Sequence, residues 1–132
     1  MDLKILEIAS NTENHKVVKN HTHQSKNKNP LCGDEMEISL IVKDNIIQDM
    51  GYQCKSCVYC QAAVSLLSRS ALNKSTESLK NLIKITENFF EKENFTFPKE
   101  WSVFKKLFKK KNIVRKECLK LPFKTLSKAL KK

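Results

Sequence analysis

Three evenly spaced cysteines form the densest group of reactive side chains in this chain of 132 residues. Cys54, Cys57 and Cys60 stand in the stretch GYQCKSCVYCQAA, each separated from the next by two residues. Thiolates bind zinc and iron, and cysteine pairs also carry out thiol–disulfide chemistry. The spacing is compatible with a self-contained metal knuckle, with a redox pair plus a spare thiol, or with one functional thiol and two bystanders. Which of these three alternatives holds depends on the other metal-binding or reactive side chains that the chain brings to the cysteines.

A second group lies upstream, in the stretch KNPLCGDE. The residue before Pro30 is biased away from helix, which predicts an extended entry, and Gly33 leaves the backbone free between Cys32 and Asp34. In an extended chain, side chains two positions apart point to the same side. A thiolate and a carboxylate side by side make half of a mixed sulfur and oxygen metal site. The fifth cysteine, Cys118, is far from both groups.

Cysteine usage and hydropathy indicate a reducing compartment. The five cysteines are an odd number, and the N-terminal stretch MDLKILEIAS lacks a charged start followed by an apolar run and a cleavage site. No apolar run approaches the roughly 20 residues that cross a bilayer. We therefore expect a mature cytoplasmic protein with no membrane partner, in which cysteines serve metal binding or thiol chemistry and not a disulfide framework.

The positive charge is concentrated at one end of the chain. The formal net charge is +11, yet positions 1–98 hold 12 basic and 12 acidic residues, whereas positions 99–132 hold 13 basic and 2 acidic ones. Such a region suits nucleic acid, an acidic membrane surface or an acidic protein partner. A solvated helix face in a lysine-rich chain is the alternative, and the charge alone leaves all of these open.

The elements that position these residues begin with a predicted β-hairpin. A short helix ending near Ser10 precedes it, followed by an extended segment up to Pro30. Apolar and polar residues then alternate from Met36, and the stretch KDNI, at positions 43–46, predicts a tight turn with a returning strand. Antiparallel pairing would bring Cys32 at the entry of the hairpin close to Cys54 at its exit.

The rest of the chain has helical periodicity. We predict a helix after Cys54 with Ser56 as its N-cap, a second capped by Ser75 or Thr76, a third opened by Pro98, and a last from about Pro122. The third would bury an aromatic stripe, Trp101, Phe104 and Phe108, in the core. The predicted fold class is α+β: a small antiparallel sheet of about three strands with helices packed on it, in a single domain over 1–132.

Three separated motifs resemble the iron–sulfur cluster assembly scaffold family, which comprises IscU, the NifU N-terminal domain and SufU. They are NPLCGDE (29–35), GYQC (51–54) and RKECLKLPFKTLSKAL (115–130), in this order. The resemblance implies a SufE/NifU-like fold and a site that holds a [2Fe-2S] cluster or Zn²⁺. It also implies that site's ligands, three thiolates and one carboxylate: Cys32, Asp34, Cys54 and Cys118.

The resemblance is closest to the SufU branch. Cys54 and Cys118 are 64 positions apart, longer than in IscU-like sequences, with an insertion around FPKEWSVFKKLFKKKN. Glu117 stands where IscU-type proteins place a histidine, so neither a histidine ligand nor their Hsp70-type chaperone contact is carried over. Arg115 matches an arginine of SufU-like sequences. The stretch NTENHK (11–16) departs from the family's Asn-Pro-x-Asn-x-Gly segment.

The function that this resemblance implies is a scaffold and not an enzyme. It would accept sulfur and iron, build a [2Fe-2S]-type cluster and transfer it to recipient apo iron–sulfur proteins, with a cysteine desulfurase as partner. The alternative within the family is a zinc-dependent sulfurtransferase partner of a desulfurase, with Cys118 as the candidate sulfur acceptor. A rival from another class is a zinc knuckle, in which CKSCVYC binds metal and the basic region binds nucleic acid; on the scaffold interpretation no nucleic-acid partner is expected.

Cys57 and Cys60 fall where this family usually has small residues. Either they are buried packing residues, since a free cysteine packs like a small hydrophobe, or they are spare thiols near the site. Cys57 is the better ligand candidate, because it lies on the first helical turn. His21 and His23 are interpreted as residues of an exposed edge strand.

Overall fold

An antiparallel three-stranded sheet in the order β1-β2-β3 forms one layer of the fold. The computed structural model describes residues 3–30, 33–91 and 96–131. The strands are β1 (His23–Lys28), β2 (Glu35–Lys43) and β3 (Ile46–Lys55). Helices pack on this sheet, so the predicted α+β class is confirmed.

The hairpin between β2 and β3 closes through the predicted tight turn. Asp44 and Asn45 both have positive φ, 53° and 63°, as in the two-residue turns whose twist matches that of the flanking strands. The register places Met36 opposite Cys54. The start of β2 and the end of β3 therefore lie side by side, as the sequence predicted.

In the described part of the chain, four α-helices and two short 3₁₀ helices make up the other elements. The α-helices are α1 (Leu3–Ala9), α2 (Val58–Ser70), α3 (Thr76–Asn88) and α4 (Lys116–Leu130). The Ser75 side chain accepts a hydrogen bond from the Ser78 amide at 3.0 Å, which confirms the predicted cap of α3. The N-cap of α2 is Cys57 and not Ser56, so that prediction was wrong by one residue.

The last helix begins six residues earlier than predicted, at Lys116, and contains Pro122 in its interior. Proline has no N–H to donate to the carbonyl four residues back, here that of Cys118, and usually ends a helix at a cost of about 3 kcal/mol. The helix continues because both sides of the proline are anchored. Leu119, Phe123 and Leu126 are all buried in the core.

The segment after Pro98 is helical but not a regular α-helix. It forms 3₁₀ helices over Lys99–Lys106 and Lys110–Arg115, with non-helical dihedral angles at Trp101. The aromatic stripe is buried as predicted, and the rings of Phe104 and Phe108 each lie 5.6 Å from that of Phe123. Aromatic contacts with α4 thus add to the local hydrogen bonds of this segment, such as that from the Leu107 amide to the Phe104 carbonyl at 3.0 Å.

The core lies between the sheet and the helices. Its fully buried members come from every layer, among them Ile5, Ile38, Leu40, Met50, Leu67 and Leu79. Within the described residues, none of the helices has both the length and the apolar character needed to cross a membrane.

The segment before β1 lies against the middle of β3. The carbonyl of Asn14 accepts a hydrogen bond from the Tyr52 amide at 3.0 Å, and the Val18 amide donates to the Ser39 hydroxyl at 2.9 Å. Gly51 makes this approach feasible, because a Cβ there would collide with the Lys16 carbonyl oxygen.

We expect Gly51→Ala to lower the free energy of unfolding by about 1–3 kcal/mol, the usual cost of forcing an extra carbon into a filled space. Urea denaturation of the metal-free protein measures this. Gln53→Ala, an exposed position two residues along the same strand, is the matched control and should change stability by less than about 0.5 kcal/mol. Equal stability of Gly51→Ala and the parent chain would contradict the close approach.

Candidate metal centre

Residues from four parts of the chain converge at one end of the sheet. Asp34 immediately precedes β2, Cys54 is the penultimate residue of β3, Cys57 caps α2, and Cys118 lies in the first turn of α4. Cys32, the remaining predicted ligand, lies outside the described residues. This end of the sheet is the place where the sequence predicted the site.

The tightest group of metal-binding atoms consists of one carboxylate oxygen and two thiol sulfurs. Among the described residues, the ligand atoms of Asp34, Cys57 and Cys118 all lie within 4.8 Å of one another. Donors around a tetrahedral Zn²⁺ lie roughly 3.3–3.8 Å apart, given Zn–S bonds of about 2.3 Å and Zn–O bonds of about 2.0 Å. A contraction of about 1 Å would therefore place all three donors on a single ion.

The environment of the Asp34 carboxylate favours binding of a cation. Asp34 is only 8% exposed, and its Oδ2 atom is buried without a hydrogen-bond donor among the described residues. A buried carboxylate oxygen without a donor is costly, and a metal ion removes that cost by supplying the missing positive partner. Thiolate donors beside it favour zinc or iron over calcium or magnesium. The residues present thus fit a thiophilic metal.

The backbone before β2 holds Asp34 in place. The Gly33 amide donates to the Asn29 carbonyl at 2.8 Å, and the Asn29 amide donates to the Asp34 carbonyl at 2.8 Å. Gly33 has φ of +78°, a conformation that residues with a Cβ rarely adopt. The turn that positions the carboxylate therefore requires a glycine at position 33.

Cys54 lies beside the group and not within it. It is half-buried, and it interacts electrostatically with both Asp34 and Cys57. Burial raises the pKa of the Cys54 thiol above its ordinary value, so the metal-free protein holds less thiolate there at neutral pH. A bound metal reverses this preference, because the metal binds the deprotonated sulfur.

Cys60 occupies a different environment from the other two cysteines of the cluster. It is completely buried in the core on the inner face of α2, and burial raises its pKa far above the ordinary value. A knuckle formed by Cys54, Cys57 and Cys60 would need all three sulfurs around one ion. Among the described residues the group of metal-binding atoms contains Cys57 and neither Cys54 nor Cys60, although Cys60 still interacts electrostatically with Asp34, Cys54 and Cys57.

Glu117 and the histidines contribute no atom to this group in the described residues. Glu117 forms ion pairs with Lys124 at 3.6 Å and with Lys120 at 3.9 Å along α4. His23 lies on the edge strand β1, where its Nδ1 and the Thr22 hydroxyl are 2.8 Å apart. The sequence predicted Cys54 as a ligand ahead of Cys57, whereas the structure brings the Cys57 sulfur into the group with Asp34 and Cys118. The available signal was the position of Cys57 at a helix N-terminus, three residues after Cys54.

A family model and a relative both match most of this chain. The family model of the NifU-like N terminal domain matches residues 2–130. The iron-sulfur cluster assembly scaffold protein IscU of Thermotoga maritima is 34% identical over 105 residues, which cover 80% of this chain and 74% of that protein.

Solved structures confirm the fold. The putative iron-sulfur cluster assembly scaffold protein for the SUF system from Fervidobacterium islandicum superimposes with a TM-score of 0.90 at 22% identity, covering 98% of this chain and 96% of that one. The N-terminal part of a NifU-like protein from Brucella abortus gives a TM-score of 0.89 at 20% identity, with 98% and 91% covered.

The buried thiol of Cys60 leads us to predict that the protein loses stability at alkaline pH. Because its pKa is raised in the folded state from an ordinary value of 9.0, its contribution to stability is fully present below pH 9 and is lost as the pH rises above it. We expect the unfolding free energy of the parent chain to fall, relative to Cys60→Ala, by roughly 1 kcal/mol per pH unit between pH 9 and 11. Denaturant titrations of both proteins over this range measure the difference, and parallel curves would contradict it.

Proposed function

This chain belongs to the family of NifU-like N-terminal domains, and on that premise we propose that it is an iron–sulfur cluster assembly scaffold. Residues 1–132 would act as one cytoplasmic domain that accepts sulfur and iron, builds a [2Fe-2S]-type cluster and transfers it to recipient apo-proteins. The observation that carries this proposal is the group formed by Asp34, Cys57 and Cys118 at the end of the sheet, with their ligand atoms within 4.8 Å of one another.

The cluster is the cargo of this site, and we assign its ligands to Cys32, Asp34, Cys54 and Cys118. The thiolates are soft donors that hold iron firmly. Asp34 is a harder and weaker donor for cluster iron, and its buried oxygen without a donor supports a role as the fourth ligand. A site with one weak ligand can release what it has assembled, whereas four thiolates would retain it.

Sulfur would reach the site from a cysteine desulfurase. Cys118 is our candidate acceptor: its thiolate attacks the terminal sulfur of the donor's cysteine persulfide, the donor's S–S bond breaks, and the donor cysteine leaves as a thiolate. The persulfide sulfur is then carried on Cys118, and the total number of S–S bonds is unchanged. Cys118 lies beside the other donors but is 6% exposed, so the donor has to approach along the start of α4.

A zinc-dependent sulfur-transfer role is the second candidate, and one observation favours it. The three grouped donors require only a contraction of about 1 Å to reach the spacing around a single tetrahedral Zn²⁺. In that case the same residues would hold zinc, and Cys118 would receive sulfur without any cluster being built.

Cys118→Ser should remove the site in either case. We expect it to weaken Zn²⁺ binding by at least about 100-fold, more than the roughly 10–100-fold lost with residues that only orient a ligand. It should also abolish retention of iron and sulfide after anaerobic reconstitution. Elemental analysis and acid-labile sulfide assays measure this, with Cys60→Ala as the control that keeps the site intact. Tightly held zinc without labile sulfide in the parent chain would favour the second candidate.

Asp34→Ala tests the labile ligand. We expect a cluster reconstituted on this variant to outlast that on the parent chain and to transfer more slowly to an apo-ferredoxin, because a neighbouring thiolate, which is a stronger ligand for cluster iron, can take the place of the weakest ligand. Decay of the visible absorption under argon and in air measures the lifetime. Indistinguishable decay of the two clusters would remove Asp34 from the ligand set.

A further inference from the structure

We propose that Cys57 is an additional thiolate ligand of this centre and exchanges with Cys54 on the bound metal. This inference rests on the proposed function, because it concerns the same site. It assigns a direct role to a position that the family resemblance treats as a small packing residue.

The geometry places Cys57 nearer to the other donors than Cys54. Its sulfur belongs to the group within 4.8 Å of the Asp34 carboxylate oxygen and the Cys118 sulfur. Asp34 adds an independent observation, because this side chain is more than nine-tenths buried and its Oδ2 has no donor in the described residues. A cation bound between the carboxylate and the Cys57 sulfur would supply the positive partner that this oxygen lacks among the described residues.

The backbone around Cys57 leaves its sulfur available. Cys57 is the N-cap of the 13-residue helix α2, with φ of −70° and ψ of 166°, and its side chain makes no capping hydrogen bond. Its carbonyl accepts from the Gln61 amide at 3.0 Å, so the residue is anchored through the main chain.

Its two neighbours in the cysteine cluster are placed differently. Cys60 lies one helical turn further on and is completely buried in the core. Cys54 is held by its pairing with Met36 in the sheet, outside the group of three donors. Lys55 ends β3 and Ser56 alone separates it from Cys57, the N-cap of α2, so both cysteines are positioned by regular elements.

An extra thiolate changes what the site can do. Beside Asp34 and Cys118, the described residues offer two thiols, Cys54 and Cys57, either of which could serve as the next donor. In the exchange that we propose, the Cys57 thiol would give up its proton as its sulfur takes the place of the Cys54 sulfur on a bound ion. The Cys54 thiolate would accept a proton in return, so the number of protons and all oxidation states stay the same. One thiol would thereby become available for sulfur transfer while Asp34, Cys57 and Cys118 hold the ion.

Co²⁺ replacing Zn²⁺ is the probe, because its sulfur-to-metal charge-transfer absorption reports bound thiolates. For Cys57→Ser we expect a weaker charge-transfer band and a Zn²⁺ affinity at least about 10-fold lower in competition with a chelator. Cys60→Ala, one turn away on the same helix, is the matched control and should match the parent chain. Cys54→Ser should still bind, whereas the double variant should lose far more affinity than Cys54→Ser alone.

Metal-dependent alkylation of the unmodified chain gives a second test that needs no folded variant. We expect Zn²⁺ to protect Cys57 from iodoacetamide, with site-resolved mass spectrometry as the readout. Equal alkylation of Cys57 with and without Zn²⁺, or a Cys57→Ser variant with the parent's Co²⁺ spectrum and Zn²⁺ affinity, would overturn the inference and leave the proposed function intact. Failure of the parent chain to bind zinc, cobalt or a cluster would overturn both.

Discussion

The antiparallel register of β2 and β3 is the constraint on which the rest of the centre depends. Pairing of Met36 with Cys54 aligns the beginning of one strand with the end of the other. Two connections therefore lie at the same end of the sheet: the turn before β2, which carries Asp34, and the connection into α2, which carries Cys57. Because a slip of one residue would turn every side chain to the opposite face, the register determines both which residues face the core and which lie at the candidate metal centre.

The fourth element of the centre, α4, is held in place by contacts far from the donors. The Ser25 hydroxyl donates to the Thr125 carbonyl at 2.6 Å, which joins the middle of β1 to the second half of α4. Phe123 packs against Phe104 and Phe108 of the segment that contains the 3₁₀ helices. This segment therefore supports the helix that carries Cys118, and its lysines, such as Lys105 and Lys110, remain exposed on the outside.

Stability and function make opposite demands at Asp34. A buried carboxylate oxygen without a donor is unfavourable in the metal-free protein, and the same oxygen is what makes the centre receptive to a cation. This oxygen lies in a short turn that is closed by backbone hydrogen bonds of Asn29 with Gly33 and Asp34. The core beneath it contains apolar side chains that do not depend on the metal, so the cost is confined to the site.

The sequence by itself determined the elements whose signals are local. The hairpin turn at Asp44 and Asn45, the cap at Ser75 and the motif around Gly33 and Asp34 each follow from the preferences of a few adjacent residues. The tertiary structure decided the start of α4, where buried side chains on both sides of Pro122 outweigh its helix-breaking effect. It also decided which sulfur accompanies Asp34 and Cys118, because that distance depends on how α2 and α4 pack on the sheet, and no spacing along the chain specifies it.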